Sequence, residues 1–392
     1  MTTTAHTGRL VAALILLLTV LAGTQERASA QVRVSGQASA AWRKSDAGVS
    51  QYAYNDGRAS FSWRGDLFVD VPLSEDVLFL SSFRMEQDRV LDVDLFAIRF
   101  IDVLSLPIAV EVGETDLPFG NLGERRYPKS NPFLSLPLSH EHVTTLRNSD
   151  YELYRADTRY QVAGNGFRVL DGGLYDLGLK LSGTAGPIDF AVAFTNGMVS
   201  ATSSYGANGL SGSKGIGTTA RIAVTPMIGL TAGISYARGP FLKDRAVYGG
   251  YVIATGDDPL AYAQEIIGGD IDFSIGHLSL YAEGFLNAWD FQDEFGAPLR
   301  ANGYSVEARY ALTPRLSAAG RVGGMHFNEI AGLPWSVGPL PESWDRNVTR
   351  YEAAVGYRIS REALLKAVWS VNRTSGVDPH DDAIAVQTVV SF

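Results

Sequence analysis

Short stretches in which apolar and polar residues alternate recur along most of the chain. Between residues 58 and 72, for example, Phe61 and Trp63 alternate with Ser62 and Arg64. A period of two places one set of side chains on each face of an extended segment, which is typical of a β-strand with one apolar and one polar face. The pattern therefore predicts a protein built from strands.

Sixteen such segments can be counted after residue 30. They lie near 32–43, 58–72, 77–87, 93–103, 107–115, 173–184, 188–196, 218–225, 230–238, 264–275, 278–289, 300–312, 316–327, 348–360, 364–374 and 383–392. No run of about 18 consecutive apolar residues follows residue 30, so a membrane-spanning helix is not expected. An even count suits a closed, antiparallel up-and-down barrel. Fourteen or eighteen strands remain alternatives, because strand boundaries read from a sequence are uncertain by a few residues.

The predicted connections fall into two classes that alternate along the chain. The short ones are 74–76, 185–187, 276–277, 314–315 and 361–363, and the long ones include 197–217, 239–263 and 328–347. Short turns at one end of a barrel and long loops at the other are typical of transmembrane barrels of the bacterial outer membrane. The expected fold is therefore all-β, with short periplasmic turns and long outer loops.

Charged residues of the predicted strands share the polar face. The residues expected to line the lumen are Arg64, Arg84, Lys180, Glu283, Glu307, Arg309, Arg321, Glu352 and Arg358. An Arg or Lys facing lipid at mid-depth would cost about 2–4 kcal/mol, so this face should meet water. A barrel of sixteen strands is wide enough for an aqueous channel. The tryptophans at 42, 63, 289, 344 and 369 are expected in aromatic girdles at the membrane interfaces.

Composition agrees with this interpretation and excludes several others. Hydrophobic residues make up 46% and charged residues 19%, which excludes a disordered chain. Mean hydropathy is +0.02, too low for a bundle of membrane helices. Cysteine is absent, which excludes disulfides, thiolate metal sites and a cysteine nucleophile. The net charge of −9 gives no indication of nucleic-acid binding, which needs a basic face.

The first thirty residues resemble a secretory signal peptide. Arg9 precedes an apolar run over 10–23, and Ala28-Ser29-Ala30 supplies a small-residue cleavage site. Fourteen apolar residues are too few to span a membrane comfortably. Removal of 1–30, which carry two arginines and one glutamate, would leave 362 residues with a net charge of −10. The predicted organisation is a cleaved signal at 1–30 and a single barrel domain at 31–392.

The end of the chain resembles the ending of bacterial outer-membrane barrels. Residues 387–392 read Gln-Thr-Val-Val-Ser-Phe, an alternating strand with a terminal Phe392. In that family the ending is the signal by which the barrel-assembly machinery recognises its substrate, which is the role implied for Phe392. The resemblance also implies outer-membrane lipid and lipopolysaccharide as surroundings.

A second resemblance covers residues 113–138. Pro118-Phe119-Gly120 leads a strand into a long loop that continues to Asn131-Pro132 and Pro137-Leu138. This is similar to bacterial porin-like proteins, including the phosphate-selective-porin-like group. No lysine cluster of the kind expected of a phosphate channel is visible, and the lumen carries both signs of charge. The resemblance implies passage of small solutes or ions, and similarity to sixteen-stranded porins implies a homotrimer.

The connection from 116 to 172 is the longest, with 57 residues. Resemblance to general porins implies that this third loop folds inward and narrows the pore. A structureless loop of this length would be uncommon, and its prolines and aromatic residues favour an ordered segment. The hypothesis is a constriction in which Arg125 and Arg126, with Lys129 and Arg147 nearby, face luminal acids such as Glu111 or Glu307. Opposed charges of this kind filter ions in other pores. The alternative is an extracellular lid with solvated charges.

No constellation in the sequence argues for catalysis or a cofactor. His140 and His142 are too few ligands for zinc, and a polar loop is the favoured interpretation of that segment. The acidic runs at 256–258 and 378–382 do not follow the twelve-residue calcium-loop pattern. The function expected is that of a passive outer-membrane porin without catalytic residues, metal or cofactor. A barrel with an enzymatic, structural or adhesive surface role is the alternative.

Overall fold

In the computed structural model, most of the chain after residue 31 has a described conformation. The described residues are 32–45, 59–86, 89–146, 168–171, 173–200, 215–241, 245–248, 251–254, 262–290, 298–330, 342–376 and 381–392. The predicted signal peptide, the acidic run at 256–258 and Arg147 lie outside these residues.

Sixteen antiparallel strands close into one barrel, which confirms the predicted count and fold class. Numbered in chain order with four short loop strands included, the barrel strands are β1 (Arg33–Ser45), β2 (Ala59–Pro72), β3 (Val77–Glu86), β4 (Arg89–Phe100), β5 (Ile108–Asp116), β6 (Tyr175–Ala185), β7 (Ile188–Thr195), β8 (Gly217–Met227), β9 (Leu230–Pro240), β12 (Ala263–Ile275), β13 (Leu278–Trp289), β14 (Leu299–Ala311), β15 (Leu316–Phe327), β18 (Val348–Arg358), β19 (Ala363–Thr374) and β20 (Ala383–Ser391). The predicted segments overlap all sixteen. The largest shift is in β4, which starts at Arg89 instead of near 93.

Two short hairpins lie in the loops outside the barrel sheet. They pair β10 (Arg245–Tyr248) with β11 (Tyr251–Ala254), and β16 (Glu329–Ile330) with β17 (Glu342–Ser343). Helical structure in the described chain is limited to single turns, at Val103–Ser105, Gly123–Arg126 and Leu138–Glu141. Among the described residues, no helix is both long and apolar enough to cross a membrane.

The barrel closes where its first and last strands meet. Strand β1 pairs antiparallel with β20 from Gln37↔Ser391 to Ser45↔Ala383. The terminal Phe392 continues this pairing, because its N–H donates to Gly36 O at 3.0 Å and its carbonyl accepts from Gly36 N–H at 3.2 Å. Closure leaves the barrel sheet without an unpaired edge, which is the condition for a sheet to reside in lipid.

The outer face of the barrel is apolar. Large exposed side chains point outward from many strands, among them Phe61, Ile234, Leu286 and Trp369. Their neighbours in sequence point inward and are mostly polar, as the alternation predicts. An exposed apolar surface that encircles a closed barrel is a lipid-facing surface.

The inner face is polar over part of the barrel only, which corrects the expectation of a uniformly wet interior. A hydrophobic cluster packs against the inner face of β9 and β12 to β15, and it includes Ile266, Phe285, Trp289, Met325 and Trp344. Trp289 and Trp344 are fully buried and pack edge to face at 5.9 Å, so their predicted place in an interfacial girdle is wrong. Trp63 and Trp369 do face outward. Alternation identifies two faces of a strand, but it does not show that loops will pack against the inner one.

Candidate functional site

The third loop lies inside the barrel. Its described residues, 117–146, 168–171 and 173–174, are called the inner loop below. The loop leaves β5 at Leu117, whose N–H donates to Leu174 O at 2.7 Å and so ties the two ends together. Gly120 turns the chain into the lumen with φ +63°, and its N–H donates to Ser235 Oγ on β9 at 3.0 Å. The left-handed backbone conformation favours glycine here, and a Cβ at this position would also force the Glu283 carboxylate to shift.

Three basic side chains hold the inner loop against one side of the lumen. They are Arg321 on β15, Arg350 on β18 and Lys366 on β19, together called the basic wall. Arg321 donates to Ser135 O at 2.9 Å and to Leu136 O at 3.2 Å, and its guanidinium lies 4.3 Å from the centre of the Phe133 ring. It also pairs with Glu352 at 2.6 Å, and Glu352 accepts a hydrogen bond from Ser135. The loop and the barrel thus share one buried polar network.

Lys366 binds the inner loop through backbone carbonyls alone. Its ammonium donates to the carbonyl oxygens of Pro128 and Asn131 at 2.9 Å each and of Phe133 at 3.2 Å. The side chain is 1% exposed. Three carbonyls satisfy the three donors of a lysine ammonium, and among the described residues no carboxylate contacts it.

Arg350 fixes the helical turn of the inner loop. It pairs with Glu141 at 2.7 Å, and Glu141 also accepts from Leu136 N–H at 2.7 Å. Burial by itself would raise the pKa of the Glu141 carboxyl. The Arg350 charge and these hydrogen bonds outweigh burial and hold its pKa below the ordinary value of 4.5.

Acidification should therefore loosen the inner loop only at low pH. A carboxyl with a depressed pKa stabilises the docked loop above its ordinary pKa, and that contribution is lost as pH falls through the depressed value. We expect channel noise to stay constant from neutral pH to about pH 5 and to rise below about pH 4. In the Glu141→Gln variant the noise of the channel current should be the same at neutral and acidic pH. Single-channel recording across pH measures where the noise begins to rise. A rise that begins near neutral pH in wild type would contradict the role given to Glu141.

The two histidines are buried between the inner loop and its surroundings, which corrects the expectation of a polar loop at this point. His140 Nε2 lies 3.6 Å from Glu283 Oε2 on β13, and His142 Nε2 lies 3.6 Å from Asp345 Oδ2. Both imidazoles have 0% side-chain exposure. Each histidine has its own carboxylate, and within the described residues no three potential ligands converge on a metal position.

The two adjacent arginines of the inner loop point to different sides of the lumen. Arg125 lies 3.9 Å from Glu307 on β14, and its guanidinium stacks 4.1 Å above the Tyr281 ring. Arg126 turns the other way, donates to Gly173 O at 2.7 Å and stacks 4.8 Å from the Tyr175 ring. Direct contact with Glu307 places the Arg125 charge within an ion-pair chain that continues to Arg321.

Glu111 on β5 forms ion pairs with the neighbouring strands β4 and β6 and does not face the inner-loop arginines. It pairs with Arg99 at 2.8 Å and with Lys180 at 3.0 Å. Lys180 also bonds Asp116 at 2.5 Å. These charges lie on β4, β5 and β6, where Asp116 is the exposed member and Glu111 the buried one.

A connected ion-pair network covers the inner face of β2 to β4. We call it the acidic wall, and its members are Arg64, Asp66, Arg84, Glu86, Asp92 and Asp94. Tyr127 of the inner loop approaches this side, with its ring 5.1 Å from Phe68 and 5.9 Å from the Arg64 guanidinium. The Tyr127 hydroxyl hydrogen-bonds that of Tyr175 at 2.9 Å. Tyr127 therefore links the inner loop both to β2 and to the start of β6.

An open cavity lies between the first residues of the inner loop and strands β5 to β8. It has a volume of about 590 Å³ and extends from Ile101 and Pro107, at the short-turn end of the barrel, to Asp116 and Arg126. Ser182, Thr184, Asp189 and Arg221 are among its polar lining residues. A smaller cavity of about 190 Å³ lies on the other side of the inner loop, between Arg43, Glu141 and Arg350. Space for water thus remains on both sides of the loop.

The remaining predicted lumen residues lie apart from these contacts. Lys129 is exposed and binds the wall through its backbone N–H, which donates to Gln37 Oε1 at 2.9 Å. Arg309 shares the inner face of β14 with Glu307, and Arg358 is exposed near the short-turn end of β18. Sequence reasoning missed Arg350, Lys366, Asp94 and Tyr127. Arg350 shares the strand parity of the predicted Glu352, but parity gives no signal for the loop carbonyls that Arg350 and Lys366 bind.

Comparison with known proteins identifies the fold. No family model and no curated protein sequence matches the chain. Solved structures do match along nearly its whole length. An anion-selective porin from Comamonas acidovorans has a TM-score of 0.59 at 10% identity, covering 93% of this chain and 100% of the porin. OmpF of Salmonella typhi, in a complex with daunomycin, has a TM-score of 0.58 at 11% identity, covering 93% and 98%.

A third matching structure is described as a trimer. OmpT of Vibrio cholerae, an outer membrane protein folded in vitro and described in its trimer form, has a TM-score of 0.55 at 10% identity and covers 93% of this chain and 100% of OmpT. At these identities the likeness shows the fold. The fold and the apolar outer face together define the class: a multi-pass β-barrel of the bacterial outer membrane with the architecture of the sixteen-stranded porins.

Proposed function

We propose that the protein is a passive porin, which lets small hydrophilic solutes or ions diffuse through a water-filled lumen narrowed by the inner loop. The observation that carries this proposal is the loop itself. A charged segment docked across the lumen, with an open cavity of about 590 Å³ beside it, is an arrangement that limits solute size while leaving a polar path. Diffusion through such a path needs no energy source and no cofactor.

The side chains beside the cavity suit hydrated solutes. Thr184, Asp189 and Arg221 offer hydroxyl, carboxylate and guanidinium groups, and Thr184 donates a hydrogen bond to Asp189. The proposal assigns no catalytic role to any residue. Assembly as a homotrimer, with the C-terminal Phe392 recognised by the assembly machinery and lipopolysaccharide around the barrel, forms part of the same proposal.

Reconstitution of the purified, folded barrel into planar bilayers tests the proposal. We expect discrete, long-lived conductance steps, and swelling of proteoliposomes in small sugars that declines as the sugar becomes larger. An electrically silent barrel that excludes sugars would contradict the porin. Hydrolytic activity in that silent barrel would support the enzymatic alternative. Cross-linking in mild detergent measures whether the assembly is trimeric.

A further inference from the structure

Residues 142–146 of the inner loop, called the outer arm below, are held by a segment that lies outside the basic wall. This segment comprises residues 342–346, which lead from β17 toward β18, and it is called the clasp. Asp345 Oδ2 accepts a hydrogen bond from Thr145 N–H at 3.0 Å. The Thr145 hydroxyl donates to Trp344 O at 3.1 Å. The clasp thus binds the outer arm through one carboxylate and one carbonyl.

The contacts between the outer arm and the clasp are shielded from water. Thr145 and Asp345 are both buried, and so is His142, whose Nε2 lies 3.6 Å from the same Asp345 oxygen. The His142 ring also packs 5.3 Å from the ring of Phe327, at the outer end of β15. A buried polar group that loses its partner is costly until water replaces that partner. Water must therefore enter before the outer arm can leave the clasp.

The clasp is attached to the barrel through contacts of its own. Trp344 Nε1 donates to Arg300 O on β14 at 3.0 Å. Arg346 Nη1 donates to Ser375 O, just after β19, at 2.9 Å. The Arg346 backbone N–H donates to Asp345 Oδ1 at 2.6 Å, so each oxygen of this carboxylate has a partner. These contacts hold the Asp345 carboxylate in place without any residue of the basic wall.

The two attachments act on different parts of the inner loop. The basic wall binds groups between residues 128 and 141, whereas the clasp binds His142 and Thr145. Segments held by separate contacts can open separately, because local opening breaks only the contacts of the segment that moves.

We propose that the inner loop is released in two steps, and that in the first step the outer arm leaves the clasp while residues 128–141 stay on the basic wall. The clasp is then a conformational device that sets how often the outer part of the lumen widens. The inference rests on the proposed porin function for its effect on conductance. Release of the outer arm can be measured without any current.

The test uses a thiol in the outer arm of the full-length, folded barrel. Leu146 is 0% exposed and the chain has no cysteine, so Leu146→Cys provides a single buried reporter. In this background, Asp345→Ala should raise the rate of reaction with a water-soluble maleimide by about tenfold or more, the factor expected when a buried charged acceptor is lost. Trypsin should still fail to cut the segment from 125 to 129, because the basic wall is intact.

Asp382→Ala is the matched control. Asp382 also accepts a backbone hydrogen bond, from Asn372 N–H at 3.0 Å, and it pairs with the exposed Arg373. Its removal deletes an aspartate from the neighbouring outer loop and should leave the maleimide rate unchanged. In planar bilayers, Asp345→Ala should add a conductance level between those of wild type and Arg321→Ala.

The outcomes separate this inference from the porin function. An unchanged maleimide rate in Asp345→Ala would overturn the clasp, and trypsin cleavage that appears together with the faster rate would overturn release in two steps. An electrically silent wild type would overturn the porin, whereas the maleimide and trypsin results would still decide the clasp. If Asp345→Ala fails to fold, Asp345→Asn serves, because an amide has one acceptor oxygen for the two N–H groups of Thr145 and Arg346. That variant should raise the rate by a smaller factor, and an unchanged rate in it would contradict the clasp.

Discussion

Replacing Arg321 with alanine will detach the inner loop from the barrel and enlarge the pore. The guanidinium contacts two carbonyls of the loop, Glu352, Glu307 and the Phe133 ring at once. Its removal leaves two buried carboxylates without their shared partner, a loss of about 3–5 kcal/mol for a buried ion pair broken on one side. Most of that cost is relieved if the loop leaves the wall and water enters.

Two measurements would detect detachment of the inner loop, namely single-channel conductance and cleavage by trypsin. Single-channel conductance should rise and become noisy, and trypsin should cut the loop at Arg125, Arg126 or Lys129, which docking protects in wild type. Arg358→Ala is the matched control, since that arginine is exposed near the short-turn end of β18, away from the basic wall. Wild-type conductance and wild-type protease resistance in Arg321→Ala would show that the loop does not depend on this contact.

Replacing Lys366 with methionine should also detach part of the inner loop and enlarge the pore. We expect the change to be nearly as large as in Arg321→Ala, but for a different reason. Methionine fills a similar volume, but it leaves the carbonyls of Pro128, Asn131 and Phe133 without this donor. A buried acceptor that loses its partner costs about 1–3 kcal/mol, so three of them should free the segment from 128 to 133.

The Lys366 variant differs from the Arg321 variant in its charge balance. Within the described part of the chain the lost ammonium contacts carbonyl oxygens and no carboxylate, so its removal leaves no buried anion there. We expect increased conductance with a barrel that still folds and resists heat, as judged by migration in gels before and after boiling. Lys366→Arg should restore part of the docking, since guanidinium also donates to carbonyls. An unchanged conductance in Lys366→Met would contradict the proposed anchoring.

Period-two alternation was sufficient to predict the barrel. It located all sixteen strands and placed Arg64, Glu307, Arg321 and Glu352 on one face, because a strand offers only two faces and lipid accepts only one kind of side chain. The inward path of the third loop was implied by resemblance to porins alone, whereas its prolines and aromatics favoured only an ordered segment. The described residues of that loop do lie in the lumen.

The contents of the lumen were not predictable in the same way. Trp289 and Trp344 meet through contacts between a strand and a loop that are distant in sequence, and Lys366 binds carbonyls more than 230 residues away along the chain. One signal was present, since Phe285 and Leu286 place large apolar residues on both faces of β13. A strand that is apolar on both faces at one end indicates that something packs inside the barrel there.

The central claim, that water passes beside an inner loop docked in the lumen, can be tested with one engineered thiol. The chain has no cysteine, so Arg126→Cys would place a single reactive group beside the cavity. A water-soluble, thiol-directed reagent added to the open channel should reduce its conductance in discrete steps, whereas Ala40→Cys, exposed on the outer face of β1, should not respond. Conductance that stays the same in Arg126→Cys after the reagent has reacted, with labelling confirmed by mass, would contradict the account.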